Sequence, residues 1–170
     1  MPTEPVKVIA NILRIELRLK NDQVLLDNQK FEIPSDDRLY LSVALAGFKV
    51  FGNRNKHVSD PVSGLLVSEQ GVNRQETYSI LLYSKGPAAR TRNWEVIAAL
   101  LSDTAQSWSE ANSMRIGMIP ASMSYVPELE GTARLFRYSL LVNALVAYQK
   151  VQAVPFFDTF QIPPTVIVNQ

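Results

Sequence analysis

Hydrophobic and polar residues alternate along this chain with two different periods, and the helical period comes first. Between Pro5 and Lys20, apolar side chains recur every three or four residues, while basic and amide residues fill the opposite side. Proline suits the first turn of a helix, and Asn21 suits its end. The pattern predicts an amphipathic helix whose wide apolar side packs on more than one surface.

A polar connection over residues 21–37 leads into segments with a period of two. Residues 38–51 alternate between large apolar and small side chains, which predicts a strand. Residues 52–57 combine glycine, asparagine and basic residues, and they predict a turn or an exposed loop. Two further strands are predicted over residues 62–70 and 75–84. The spacing of these three strands indicates an antiparallel meander.

The helical period returns after the Gly86-Pro87 break and continues to Trp108. The predicted apolar stripe of this second helix consists of Trp94, Ile97, Leu101, Thr104 and Trp108. We expect this stripe to pack against the sheet.

Two strands are predicted to close the fold. The first covers residues 114–125 and bends at Pro120, and the second covers residues 133–149. The second is apolar on both sides. That pattern is typical of a strand covered on both faces, or of one whose second face meets another subunit.

Together these elements predict a single domain over residues 1–150. Its class is α/β (α+β): a mostly antiparallel sheet with two main helices packed on it, in the order α-β-β-β-α-β-β. Residues 151–170 form an apolar tail interrupted by prolines, too apolar to be solvated and too rich in proline for a helix. We expect the tail to dock either on its own domain or on a neighbouring subunit.

The composition is that of a folded domain. The chain has 170 residues, 46% of them hydrophobic and 19% charged, and a formal net charge of +1. That balance gives no long-range attraction to nucleic acid, although a local basic patch can still form. Cysteine is absent, which excludes disulfides and thiolate metal sites and is compatible with the cytoplasm. With neither a signal peptide nor a membrane span in the pattern, we expect a soluble protein.

The usual catalytic arrangements are missing. His57 is the only histidine and lies in a predicted loop, and there is no Gly-x-Ser-x-Gly motif. No glycine-rich phosphate loop occurs either. The acidic pairs Asp36-Asp37 and Glu128/Glu130 fall in predicted loops, where solvation or helix capping is a more ordinary role than cation binding. The sequence therefore predicts a protein with no enzymatic activity, no metal and no cofactor.

One basic patch is a candidate binding surface. Lys85, Arg90 and Arg92 lie near the start of the second helix, and Arg54 and Lys56 lie in the preceding predicted loop. Cations at a helix N-terminus oppose the helix dipole, so a partner could explain them. That partner could be acidic groups of another subunit or nucleic-acid phosphates. An ordinary solvated loop is the alternative interpretation.

The order of elements from Glu76 onward has a distinctive form. The strand Glu76–Ser84 is followed by the Gly-Pro break and a helix containing Trp94–Leu101. A bent segment at Met118–Pro120 then precedes the long strand Arg134–Asn143, which continues into the apolar segment Tyr148–Phe160. This arrangement resembles the neck and tail terminator proteins of tailed bacteriophages.

The resemblance implies a structural role in the virion. Such proteins fold as an α/β sandwich and assemble into a ring, typically a hexamer, that caps the tail tube and joins it to the neck or head-completion protein. DNA passes through the ring without sequence-specific contact, and no catalytic residues are implied. The expected location is the neck of the virion, after synthesis in the host cytoplasm.

A ring needs contact surfaces, and the sequence suggests three. They are the end of the last strand, the apolar tail and the predicted loop at 52–57. The candidate interface residues are Val142, Leu145, Tyr148, Phe156, Phe157, Phe160, Asn53, Arg54 and Lys56.

Three rival interpretations remain open at this stage. The first is another phage part, such as a head-completion protein, a tube-like subunit or a component of a phage-like injection machine. The second is a small nucleic-acid-binding or regulatory module that uses the basic patch. The third is an enzyme of unrecognised type.

Overall fold

The fold was obtained as a computed structural model, which describes residues 4–26, 34, 36–59, 62, 64, 66–117, 119–120, 123–126, 128–130 and 133–153. For residues 128–130, 133 and 134 only the backbone is considered. The described elements are α1 (Pro5–Glu16), a 3₁₀ turn (Asn21–Gln23), β1 (Val24–Leu26), β2 (Tyr40–Ser59), β3 (Leu66–Ser84), α2 (Ala88–Leu100), α3 (Asp103–Ala111), β4 (Met114–Ile116), β5 (Ser124–Tyr125), β6 (Glu128–Glu130) and β7 (Ala133–Ala153).

Helix α1 confirms the first predicted helix but is shorter. Pro5 occupies its first turn, and one side of the helix is fully buried. The helix ends at Glu16 rather than Lys20, because Arg18 adopts a left-handed conformation with φ of 54°. The last predicted turn therefore becomes a loop.

Strands β2 and β3 differ most from the sequence prediction. Residues 52–57, predicted as a loop, belong to a continuous 20-residue strand. The break predicted between residues 70 and 75 is also absent, because β3 runs unbroken for 19 residues. The two strands pair from Tyr40 opposite Tyr83 to Ser59 opposite Leu66. Pairing along this whole length outweighs the weak strand propensity of glycine and asparagine.

The predicted second helix is two helices. Helix α2 ends at Leu100, and α3 begins at Asp103 after a break at Ser102, whose extended backbone places its side chain to accept a hydrogen bond from the Ala105 amide. Serine is among the best residues for capping a helix in this way. The predicted stripe does not pack against the sheet as a unit, because Trp94 and Leu101 lie on the outward side of α2 and its C-terminal end and are exposed by 63% and 69%.

The sheet is mixed but mostly antiparallel. Its order is β1-β2-β3-β7-β4, with the short strands β5 and β6 also paired to β7. Among the described strands, only β1, which lies in the predicted connection, runs parallel to its neighbour. The predicted strand over 114–125 is present as two short pieces, β4 and β5, with Pro120 between them. The α+β class, with helices packed on a mostly antiparallel sheet, is confirmed.

The helices pack on one face of the sheet, called here the helix-side face; the opposite face is called the outer face. Every second residue is buried from Glu76 to Ser84 of β3 and from Leu140 to Val146 of β7, as expected where one face of a sheet is covered. The main core residues from both layers are Val8, Ile9, Ile12, Leu13, Leu41, Val43, Tyr78, Ile80, Leu82, Val96, Leu100, Leu140 and Val142. Within the described residues, no helix is long and apolar enough to cross a membrane.

Candidate interaction surface

Three strands continue beyond the helices and form what we call the arm. It consists of residues 48–59 of β2, 66–75 of β3 and 147–153 of β7, and no residue in these ranges is buried. The portion from β2 spans about 40 Å. A sheet whose two faces are both accessible is only marginally stable in water unless something packs on it.

A buried carboxylate lies at the base of the arm. Glu76 is 2% exposed, and it accepts hydrogen bonds from the hydroxyls of Tyr78 and Tyr148, the latter at 2.8 Å. The guanidinium of Arg74 lies 3.2 Å from the same carboxylate. We call Arg74, Glu76, Tyr78 and Tyr148 the base cluster. A buried charge is tolerated when it is paired and hydrogen-bonded in this way.

Aromatic rings hold the cation of the base cluster. The guanidinium carbon of Arg74 lies 3.7 Å from the centroid of the Phe48 ring and 5.1 Å from that of Tyr148. Both distances are within the range of cation–π attraction. The Nε of Arg74 is buried and makes no hydrogen bond to a described residue. The cluster therefore joins all three strands at the point where the helices stop covering them.

The surroundings of Glu76 also change the acidity of both phenols. Burial, followed by the hydrogen bond to the Glu76 carboxylate, raises the pKa of Tyr148 to about 12. The same two causes, in the same order, raise the pKa of Tyr78 even further. A phenolate beside a buried carboxylate is unfavourable, so both hydroxyls remain hydrogen-bond donors.

Large apolar side chains are exposed on both faces of the sheet. Phe48 and Val50 lie on the helix-side face, opposite Glu76 and Arg74, and are 59% and 51% exposed. On the outer face, Leu141, Leu145 and Val151 are exposed by 53%, 41% and 59%. Apolar exposure of this extent, gathered on one part of a domain, is typical of protein–protein contact surfaces.

Both edges of the arm are also open. Strand β1 covers β2 only at residues 41–43, and from residue 44 onward that edge has no strand partner among the described residues. On the other side, pairing to β7 stops at Ala147, whose amide donates to the Ser113 carbonyl. Long unpaired strand edges favour pairing with another chain.

Of the predicted interface residues, five are exposed, one is buried and three lie outside the described residues. Asn53, Arg54 and Lys56 are exposed on β2 of the arm, in a strand rather than a loop. Leu145 and Tyr148 are also exposed. The prediction that Val142 lies on the surface is wrong, because this residue is 0% exposed and packs in the core. The tail residues Phe156, Phe157 and Phe160 lie outside the described residues.

The predicted basic patch is divided. Arg92 is partly exposed; it pairs with Glu95 at 2.7 Å and donates a hydrogen bond to the Leu17 carbonyl at 3.0 Å. Arg90 is exposed, and Lys85 is partly exposed and has an interaction of its own. Arg54 and Lys56 belong to the arm, about 45 Å along the strands from the start of α2. These five residues therefore do not form one surface.

The base cluster was not predicted from the sequence. Arg74 and Glu76 stand at every second position of β3, in the same series as Tyr78, Ile80 and Leu82. That spacing was the available signal of a charge pair on the covered face. Their two aromatic partners come from β2 and β7, far away in sequence, and only the strand register brings them together.

The described side chains give no metal site: no group of three or more histidine or acidic side chains is close enough to hold an ion. His57 is exposed on the arm. No protein-family model matches the chain. Nor does any curated protein match it.

We expect Glu76→Gln to lower the free energy of unfolding by roughly 3 kcal/mol, because it removes the buried carboxylate that pairs with the partly buried guanidinium of Arg74 and accepts from two tyrosines. Tyr148→Phe is the matched variant, since it removes one hydroxyl from the same cluster and keeps the ring; its expected loss is about 1.5 kcal/mol. Urea unfolding followed by circular dichroism measures both. Equal stability of Glu76→Gln and the wild type would show that the cluster does not hold the arm.

The raised pKa of Tyr148 predicts a loss of stability in alkaline solution. An unfolded tyrosine loses its proton near pH 10, whereas folded Tyr148 keeps it to about pH 12. Over that interval the unfolded state binds fewer protons, so its relative free energy falls and stability decreases as pH rises. The free energy of unfolding of the wild type should therefore fall more steeply than that of Tyr148→Phe. Parallel curves would contradict the assignment.

Proposed function

We propose that this protein is a structural component of a tailed bacteriophage, a tail or neck terminator that forms a ring on the tail tube. The observation that carries the proposal is the arm, a three-stranded extension with accessible faces, open edges and no buried residue of its own. A partner that covers it would remove apolar surface from water at a gain of about 25 cal/mol per Å².

Ring assembly explains why the exposed surfaces of one chain differ from one another. A ring is built from heterologous contacts, in which one surface of a subunit meets a different surface of the next. The arm and the helical layer of this protein are chemically different, and they lie in different parts of the fold. The order of elements that resembles the terminator proteins, from Glu76 to the long last strand, lies in the same folded unit.

In this proposal, the protein acts by assembly alone and is not an enzyme. Its partners are other copies of itself, the tail tube protein and a neck or head-completion protein, and DNA passes through the ring without specific contact. It is made in the host cytoplasm and resides in the virion neck.

Mass measurements over a concentration series test this proposal. Light scattering after size exclusion, with negative-stain images of the same fractions, should show a closed ring of about six 19.0 kDa subunits. Rings should gain population as concentration rises, because each contact buries part of the arm. Open-ended filaments would point instead to a tube subunit, and a monomer at every concentration would contradict ring assembly.

A further inference from the structure

A second exposed apolar surface lies on the helical layer, away from the arm. Trp94, Ala98 and Leu101 are exposed at helical spacing along α2 and its C-terminal end, with Trp94 and Leu101 exposed by 63% and 69%. The opposite side of α2 packs in the core through Val96 and Leu100. Tryptophan on an exposed helix face is a frequent anchor of protein–protein contacts.

Next to Leu101 the surface opens into a groove of about 490 Å³. It runs between the end of α2, helix α3 and strand β4, and Arg115 lies on its wall. The hydroxyl of Ser109 lines this groove; it is buried and has no hydrogen-bond partner among the described residues. A buried hydroxyl without a partner is costly, so a group that fills the groove and accepts or donates a hydrogen bond would be stabilised there.

The charged residues of the segment 93–113 are acidic, and Arg115 on the groove wall is a cation that adjoins them. Between residues 93 and 113, the sequence contains Glu95, Asp103 and Glu110 and neither lysine nor arginine. Glu95 is paired with Arg92. Asp103 and Glu110 are exposed, and neither forms an ion pair with a described residue. We call residues 93–113 the α2–α3 surface.

The outer face of the arm has the opposite charge. Lys49, Arg54 and Lys56 lie opposite Gln75, Gly71 and Glu69 in the register of β2 and β3, which places all three on the outer face. They are exposed, and none forms an ion pair within the described part of the chain.

Apolar residues of β7 accompany these basic residues. Leu145 and Val151 lie opposite Gln75 and Glu69, and therefore on the same face. This face combines exposed basic and apolar groups, with Glu69 as its acidic residue.

From this complementarity we infer that the outer face of the arm docks on the α2–α3 surface of a second copy of this chain. The inference rests on the proposed ring and names the two surfaces that form its repeating contact. Basic groups of the arm face the acidic groups of α3, and its apolar residues cover Trp94 and Leu101. Such a contact is heterologous, as a ring requires.

The same chain cannot make this contact with itself. The outer face points away from the helices, which pack on the other face of the same sheet. Strands β3 and β7 continue into the arm without a break, so the outer face of the arm lies on the side of the sheet away from the helices of the same chain. A second copy, related to the first by a rotation as in a ring, meets neither restriction when its α2–α3 surface faces the arm.

Charge reversal separates this contact from other modes of assembly. One variant carries Lys49→Glu, Arg54→Glu and Lys56→Glu; a second carries Asp103→Lys and Glu110→Lys. Each alone places like charges across the contact, and we expect its subunit dissociation constant to rise at least about tenfold. An equimolar mixture should recover rings of alternating variants. In such a ring the reversed arm of the first variant meets the reversed α2–α3 surface of the second, and the unchanged arm of the second meets the unchanged α2–α3 surface of the first. Lys20→Glu, an exposed reversal outside both surfaces, is the control and should assemble normally.

The outcomes distinguish this inference from the proposed function. If the wild type forms rings while both reversal variants assemble as it does, the inference is wrong and the ring proposal stands. If the wild type forms no oligomer, both fail. Circular dichroism confirms folding, and the single changes Lys56→Glu and Glu110→Lys replace any variant that does not fold. Trp94→Ala should also weaken assembly, whereas Ile15→Ala, which removes an exposed apolar side chain of α1, should not.

Discussion

A difference in length between helices and strands determines this structure. An α-helix rises about 1.5 Å per residue and a strand about 3.3 Å. Helices α1 and α2, with 12 and 13 residues, therefore cover a length of about 20 Å. Strands β2, β3 and β7 have 20, 19 and 21 residues and extend for about 65 Å. The helical layer covers only part of such a sheet, and the arm is the remainder.

The base cluster occupies the boundary between the covered and uncovered parts. On the helix side of it, alternate residues of β3 and of residues 140–146 of β7 are buried, and most of them are apolar; beyond it, none is buried. Glu76 accepts hydrogen bonds from tyrosines of two strands and pairs with Arg74, whose guanidinium lies on a ring of the third strand, β2. These contacts fix the direction in which the arm leaves the domain. A fixed arm loses less conformational entropy on binding than a flexible one, which favours assembly.

The hydrophobic periodicity of the sequence predicted most of the fold in the part of the sheet that the helices cover. The helix at the N-terminus, the antiparallel sheet and the long last strand follow from periodicity, because burial on one face imposes that periodicity on the sequence. Residues 52–57 lie in the arm, where no core selects apolar residues, so their polar composition indicated a loop. Residues 88–111 form two helices because Ser102 caps the start of the second one. A single serine is a weak signal in the sequence, so one long helix was predicted.

The candidate surfaces could be predicted only in part. Exposed positions such as Leu145 and Tyr148 were identified from an apolar pattern on both sides of one strand. The same pattern misplaced Val142, because sequence alone does not say which side faces the helices. The basic residues of the arm and the acidic residues of α3 lie on different elements, and their relation appears only when the register of β2, β3 and β7 assigns each residue to a face.

Hydrogen exchange along the arm tests most directly whether it is an intermolecular surface. Amides on the open edge of β2, in residues 48–59, have no strand partner within the described part of the chain and should exchange rapidly in dilute protein. If the arm is covered by a second copy, their exchange should slow as the protein concentration rises, while that of core amides in β3 stays constant. Exchange at those arm amides that is rapid and unaffected by concentration would contradict the account.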